Sequence, residues 1–231
     1  MTLAIMGAMP EEIAPILKKL GTYKTTNYAG NKYYEATYKG MNLVLAYSKI
    51  GKVFSTLTAA TLCEHFGAEK LLFSGVAGAI SPKLKVGDLI VATQLTQHDL
   101  DITAFGHPFG YVPEGSVFVD ADKEMIALSK IVAQEMGKPL QEGIIATGDQ
   151  FVANEERKSW IGETFGADAL EMEGGSVAVV CDALNVPFFI LRAISDAADM
   201  DASFSFDEFL ETSAVESAEF VMKMVDKLAK K

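Results

Sequence analysis

Arginine is nearly missing from this chain. Only Arg157 and Arg192 occur, and the rest of the 20 basic residues are lysines. Bidentate clamps on phosphate draw on the planar guanidinium fork, so no such clamp has a candidate before Arg157. Positive charge is scarce as well: 20 Lys and Arg against 31 Asp and Glu leave a net charge of −11. An acidic surface without a basic cluster repels a phosphate backbone, so nucleic acid is not an expected partner. Cysteine is limited to Cys63 and Cys181, both within apolar helical patterns. Two are too few for a disulfide framework and are expected as buried free thiols in a reducing compartment. His65, His98 and His107 are scattered, one on a helix and two on or beside a long loop, and are expected to be structural. No Cys/His pair has metal-ligand spacing, so neither a metal nor a cofactor is expected. No apolar run approaches the length of a bilayer span. Apolar residues start at Leu3 without a charged leader or cleavage site, so a cytoplasmic protein away from membranes is expected.

What is present is apolar. Hydrophobic residues make up 49% of 231 and charged residues 22%, enough for a large core. Strand and helix patterns alternate, with no repeat, linker or low-complexity segment, so the expectation is one α/β domain over residues 1–231 with a mostly parallel buried sheet. Leu3–Met6 reads as a strand, and Pro10, Glu11 and Glu12 open a helix that Gly21 stops. Lys32–Tyr38 and Met41–Tyr47 read as a hairpin around Lys39-Gly40. Val53–Phe66 reads as a helix with Val53, Leu57, Ala60 and Thr61 on one stripe. Strands are expected at Lys70–Ser74, Leu89–Leu95, Glu142–Thr147 and Ala169–Met172. Helices are expected at Asp122–Met136, Asn154–Phe165, Gly174–Leu184 and Phe206–Lys231. His98–Gly115 is a long loop carrying Phe105, His107, Phe109, Tyr111 and Pro113, and so many aromatics suggest a covered surface.

The organising stretch is Phe188–Asp199. It begins as an uncharged run suited to a strand buried on both faces, then delivers Arg192, Ser195 and Asp196 within five residues. Ligands of open α/β sheets bind beyond the carboxyl ends of strands. The plain alternative is that Ser195 or Asp196 caps the next helix. Three other strand ends are polar or glycine-rich: Gly7–Glu12, Gly75–Gly78, and Gly148–Phe151 with Glu171–Glu173. In a parallel sheet these would converge on one edge. Singly, Glu12 can be a helix-dipole glutamate, the glycines simple turns, and Glu171 and Glu173 a solvated pair. Together they offer carboxylates, an arginine, glycine-lined backbone and an aromatic, with no nucleophile elbow. That inventory suits a neutral, flat, hydroxylated ligand with a leaving group to protonate.

The segments GAMPEE, SKIGKV, SGVAGA, VGDLIVA, ATGDQFV, EMEGGSVA, VPFFILRAISDAAD and SFDEFL resemble the 5′-methylthioadenosine/S-adenosylhomocysteine nucleosidases of the purine nucleoside phosphorylase superfamily, from Leu3 nearly to the C-terminus. The resemblance implies a three-layer α/β/α fold around a mixed, partly barrel-closed central sheet, and a homodimer. It implies that Asp196 protonates adenine N7, that Glu12 activates the attacking water, and that Arg192 helps to place it. Glu173 would hold the ribose 2′ and 3′ hydroxyls over Met172. Phe151 would stack on adenine and the Val152 backbone would read its edge, with Ser195, Val76, Ala77 and Gly78 beside them. Met9, Ile50 and Phe206 would line the 5′-substituent pocket, and Ile102, Phe105 and Pro113 would close the pocket of the partner subunit. Many family members carry Ser where this chain has Val76. Together with AYSKIGKV and VATQLTQHD, Val76 resembles the form that also cleaves 6-amino-6-deoxyfutalosine in bacteria making menaquinone.

The chemistry fits these residue types. Adenine leaves poorly as an anion, and an oxocarbenium ion needs nearby carboxylates. To hold a proton near neutral pH, Asp196 must be raised from ~3.9 by roughly 4 kcal/mol of differential interaction. Two alternatives stand beside hydrolysis. A purine nucleoside phosphorylase would need a phosphate site, which suits arginine rather than Glu11 and Glu12. A non-catalytic nucleoside-binding protein would have no need of Glu12 and Asp196 together.

Overall fold

The apolar runs assemble into one sheet that partly closes on itself. The computed structural model describes residues 1–196 and 202–229, with backbone alone over 202–208. In chain order the elements are β1 (Thr2–Gly7), α1 (Pro10–Leu20), β2 (Lys24–Tyr28), β3 (Asn31–Tyr38), β4 (Met41–Tyr47) and α2 (Lys52–Ala60). Then come β5 (Lys70–Ala79), β6 (Leu89–Gln97), β7 (Val119–Asp120), α3 (Lys123–Met136), β8 (Leu140–Thr147) and α4 (Glu155–Phe165). β9 (Ala169–Glu171), α5 (Gly174–Ala183), β10 (Phe188–Asp196) and α6 (Ala202–Leu228) complete the order.

The strands lie in the order β10-β6-β8-β9-β5-β1-β4-β3-β2, with β7 on β6. A further pairing of β10 with β5 closes β10, β6, β8, β9 and β5 into a five-strand barrel. The sheet is mixed rather than mostly parallel, with as many antiparallel as parallel pairings. Uncharged buried runs marked the strands but did not reveal that β9 runs against β5, or β10 against β6. Helices α1, α3 and α6 pack together over β10, β5, β1 and β4, while α5 covers β8 and β6 from the other side and carries α2. Among the described residues no helix is long and apolar enough to cross a membrane.

Local signals set several boundaries. Pro10 sits at the start of α1, and Gly21, at φ +74°, ends it. Asp122 and Asn154 cap α3 and α4, accepting from the Met125 and Arg157 amides at 2.8 Å. Two expectations are corrected. β5 does not stop at Ser74 but runs on through Gly75-Val76-Ala77-Gly78 to Ala79, and Gly75 serves close approach rather than a turn. α2 turns only part of its expected stripe outward: Val53 is 75% exposed and Leu57 44%, whereas Thr61 at its end is buried along with Ser55, Thr58 and Ala59. Small hydroxyl residues make the helix contact, Ser55 Oγ lying 2.7 Å from Ser176 Oγ of α5. A π-helical turn, Thr61–His65, follows and buries Cys63. The terminal helix starts four residues before the expected Phe206, and Lys230 and Lys231 lie outside the described residues.

All nine residues of β10 are buried, and Phe189, opposite Leu72 of β5, has no exposed surface. Phe189→Ala is expected to destabilise the chain by about 3–5 kcal/mol. Urea unfolding should show a lower midpoint at unchanged slope; a midpoint equal to that of the parent chain would contradict this placement of the core.

Candidate active site

Glu12 sits in the first turn of α1, and its side chain folds back over the end of β1. Oε2 accepts the Ala8 amide at 2.5 Å and the Met9 amide at 3.0 Å, while Oε1 accepts the Val76 amide at 3.2 Å. It is both a helix-start glutamate and a cavity group, only 2% exposed. Burial raises its pKa, while the Arg192 charge and the three amides pull it back. Two glycines make room for it. A Cβ on Gly75 would lie 2.7 Å from Oε1, and one on Gly7 3.2 Å from Oε2.

A buried ion pair adjoins the cavity, with Glu171 in its lining. Arg192 Nη2 donates to Glu171 Oε2 at 2.6 Å, both side chains almost fully buried. Arg192 Nη1 donates to the Leu191 carbonyl at 3.1 Å, and its guanidinium stacks 4.0 Å from the Phe73 ring. Glu171 also accepts the Gly174 amide at 2.7 Å and the Glu173 amide at 3.2 Å, and Thr147 Oγ1 donates to its other oxygen. The Gly175 amide donates to Thr147 Oγ1 at 2.6 Å. The first amides of α5 are thereby satisfied from β8 and β9. Gly174 and Gly175 let this happen, since added Cβ atoms would lie 2.8 Å from Leu95 and 2.9 Å from Thr147.

Glu171 and Glu173 reach the site from the expected parallel edge beside β8, where Thr147 stands opposite Glu171. On its other side β9 pairs antiparallel with Gly78 and Ala79 at the far end of β5, so its carboxyl end points back along β5. The two glutamates are not a solvated pair, being 5% and 6% exposed. Glu173 Oε1 accepts the Gly51 amide at 2.8 Å. Burial, then the adjacent Glu171 charge, push its pKa up to about 8 against the pull of that amide and of Arg192.

Ser195 and Asp196 are strand residues, not helix caps. The register shifts between Ile194 and Asp196, which oppose the consecutive residues Ala77 and Gly78. This bulge breaks the usual alternation of faces, so Ser195 and Asp196 line the same cavity although adjacent. Both are buried, and Ser195 Oγ donates to Asp196 Oδ2 at 2.8 Å.

The cavity holds about 290 Å³ and brings together Met9, Glu12, Ile50, Val76, Ala77, Gly78, Phe151, Val152, Met172, Glu173, Ser195 and Asp196. Ala8, Gln150, Leu170 and Glu171 also line it, without having been assigned a part from the sequence. Glu171 stood among the polar strand ends, but its pairing with Arg192 has no local signature. Arg192 is not itself among the lining residues. Ile102, Phe105 and Pro113 are not among this chain's lining residues, and Phe105 is 81% exposed. Phe206 falls outside the residues whose side chains are described. His98 is a core histidine, buried beneath Gly148 with its pKa lowered to about 4 by that burial. His65 stacks on Tyr28, and His107 on Tyr111. Among the described residues no group of His, Cys, Asp and Glu is arranged to hold a metal ion. Carboxyl groups in an apolar cavity, one raised to about 8, suit proton transfer to and from a bound ligand.

The chain is similar in sequence and fold to known proteins. The Phosphorylase superfamily pattern matches residues 2–226. An aminodeoxyfutalosine nucleosidase of Campylobacter jejuni is 57% identical over 228 residues, 99% of this chain and 100% of that protein. A 5′-methylthioadenosine/S-adenosylhomocysteine nucleosidase of Anoxybacillus flavithermus is 37% identical over 232 residues, 100% of each. A solved mutant of the Helicobacter pylori nucleosidase, with 5′-methylthioadenosine in its active site, matches with a TM-score of 0.96 at 49% identity over 98% of each chain.

The raised Glu173 carboxyl has a consequence for stability. Between the ordinary 4.5 and about 8 the folded chain keeps a proton that the unfolded chain releases. The contribution is therefore fully present below 4.5 and is lost as pH rises through about 8. Glu173→Gln should flatten this fall in melting temperature between about pH 5 and about pH 8; an unaltered slope would contradict the burial of this carboxyl.

Proposed function

The chain belongs to the Phosphorylase superfamily, and from that premise we infer that its cavity hydrolyses the N-glycosidic bond of 5′-substituted adenine nucleosides. The substrates are 5′-methylthioadenosine, S-adenosylhomocysteine and 6-amino-6-deoxyfutalosine, and the products are adenine and the 5′-substituted ribose. The observation that carries this reading is the convergence of Glu12, Glu173 and Asp196 on one cavity with apolar walls.

Asp196 gives its proton to adenine N7 as the bond between ribose C1′ and N9 breaks, and the bonding pair leaves with the base. Ser195 Oγ, 2.8 Å from Oδ2, orients that carboxyl. A water then adds to C1′ and passes a proton to Glu12, whose burial-raised pKa makes it a more willing acceptor. Arg192, held by Glu171, supports Glu12 by its charge. Glu173 accepts the ribose 2′ and 3′ hydroxyls with Met172 against the sugar. Phe151 stacks on the base, and the Val152 backbone reads its edge. Met9 and Ile50 border the 5′ substituent.

The working form is a homodimer in which Ile102, Phe105 and Pro113 of the partner subunit close the 5′ pocket. Support comes from the exposed apolar face of Ile50, Val53, Phe54 and Leu57, together with Phe105. Phosphate is a poor nucleophile here, because no Lys or Arg is among the described lining residues of the cavity to hold an anion. Val76 removes the hydroxyl that many relatives carry beside the acid and leaves Ser195 to orient it. The 57% identity to an aminodeoxyfutalosine nucleosidase supports a part in menaquinone biosynthesis as well as methionine salvage, with the enzyme acting in the cytoplasm.

Asp196→Asn is expected to lower kcat by about 10²–10⁴-fold, with adenine release by the parent chain independent of added phosphate. Near-normal hydrolysis by the variant would remove Asp196 as the acid, and phosphate-dependent release of ribose 1-phosphate would reverse the reaction class. Intact turnover of methylthioadenosine without turnover of aminofutalosine would remove that substrate alone.

A further inference from the structure

The N-terminus of α2 has no capping side chain of its own. Its N-cap is Gly51 at φ +98°, yet its first two amides are both held by carboxylates from distant parts of the chain. The Gly51 amide donates to Glu173 Oε1 at 2.8 Å, and the Lys52 amide donates to Asp149 Oδ1 at 2.7 Å. Asp149 is fixed in turn, its amide donating to Asp99 Oδ2 at 2.8 Å. Asp99 Oδ1 receives Lys52 Nζ at 2.7 Å, which closes a ring of Lys52, Asp149 and Asp99. Burial raises the Asp99 carboxyl, but Lys52 and the Asp149 amide outweigh it and hold its pKa below the usual range. Gly51 is required twice over: its φ is left-handed, and a Cβ there would lie 2.9 Å from Asp149 Oδ1.

We propose that Asp149 and Asp99 are positioning residues that set the purine-binding loop at a fixed distance from the sugar-binding Glu173. The proposal rests on the nucleosidase reading above. Asp149 opens the segment leading to Phe151 and Val152, while Glu173 anchors the ribose. Adjacent amides of one helix end hold both, so their separation is a backbone distance rather than the sum of flexible side chains. The helix dipole favours both carboxylates at that end. Asp149 is exposed, so its contribution to global stability is small, whereas its effect on the loop is direct.

The test is steady-state adenine release from 5′-methylthioadenosine by the full chain and by Asp149→Ala, Asp149→Asn, Asp99→Ala and the double alanine variant, alongside thermal unfolding. Asp149→Ala should raise KM about tenfold with kcat within about twofold, because base stacking is felt equally before and in the transition state. Asp149→Asn keeps the Oδ1 acceptor and should stay within about twofold of the parent KM. The double variant should be no worse than the worse single one, since the ring acts as a unit, and melting temperatures should change little. Calorimetric affinity for adenine gives the same comparison without turnover: about tenfold weaker for Asp149→Ala and near parental for Asp149→Asn. An unchanged KM and adenine affinity in Asp149→Ala, or equal impairment in the Asn variant, overturns the proposal. Absent turnover with the adenine pattern intact would sink the reaction and leave the ring standing.

Discussion

A guanidinium taken out of water has to be answered by a carboxylate, and in this chain the answer organises the site. Stripping ions such as Arg192 and Glu171 of solvent costs several kcal/mol each, which only good geometry and further hydrogen bonds offset. Both conditions hold: a 2.6 Å contact, a carbonyl under the guanidinium, and amides and a hydroxyl around the carboxylate. Because those amides belong to the first residues of α5, the pair also sets where α5 begins. That start places Glu173 at the cavity. The same positive charge, reaching Glu12 and Glu173, partly offsets the burial that would otherwise drive both carboxyls further up.

The strands supply the second constraint. Closing β10, β6, β8, β9 and β5 into a barrel leaves little freedom in where side chains point. Two irregularities then aim them. The bulge at Ser195 turns consecutive residues toward one cavity, and the short β9, parallel to β8 and antiparallel to the far end of β5, carries Glu171 beside that cavity. Glycines at 75, 174 and 175 are the counterpart, since each lies where a methyl group would strike the polar frame or its apolar backing. Acid chemistry in a dry cavity depends on such close approach, because burial alone would favour neutral, unplaced carboxyls.

Much of this was legible in the sequence where a signal is local. Pro10 and Gly21 bounded α1, Asp122 and Asn154 capped their helices, and the uncharged run before Arg192 marked the buried strand. Glu12, Glu173 and Asp196 stood out as carboxylates at strand ends, and they do line one cavity. What escaped was non-local. Strand direction around β9, the bulge, and the partner of Arg192 depend on pairings between residues far apart in the chain. The buried face of α2 escaped for a related reason: periodicity marks an apolar stripe but not whether the chain's own core or another surface covers it. Val53 and Leu57 face outward, and Ser55 faces in.

The most direct test of the account is a stability cycle on the buried pair: unfolding free energies of Glu171→Met, Arg192→Met and the double variant, with adenine release measured on each. The account predicts that each single change costs about 3–5 kcal/mol, and that the double change recovers much of that stability while remaining inactive. Single variants within about 1 kcal/mol of the parent chain, or an active double variant, would contradict it.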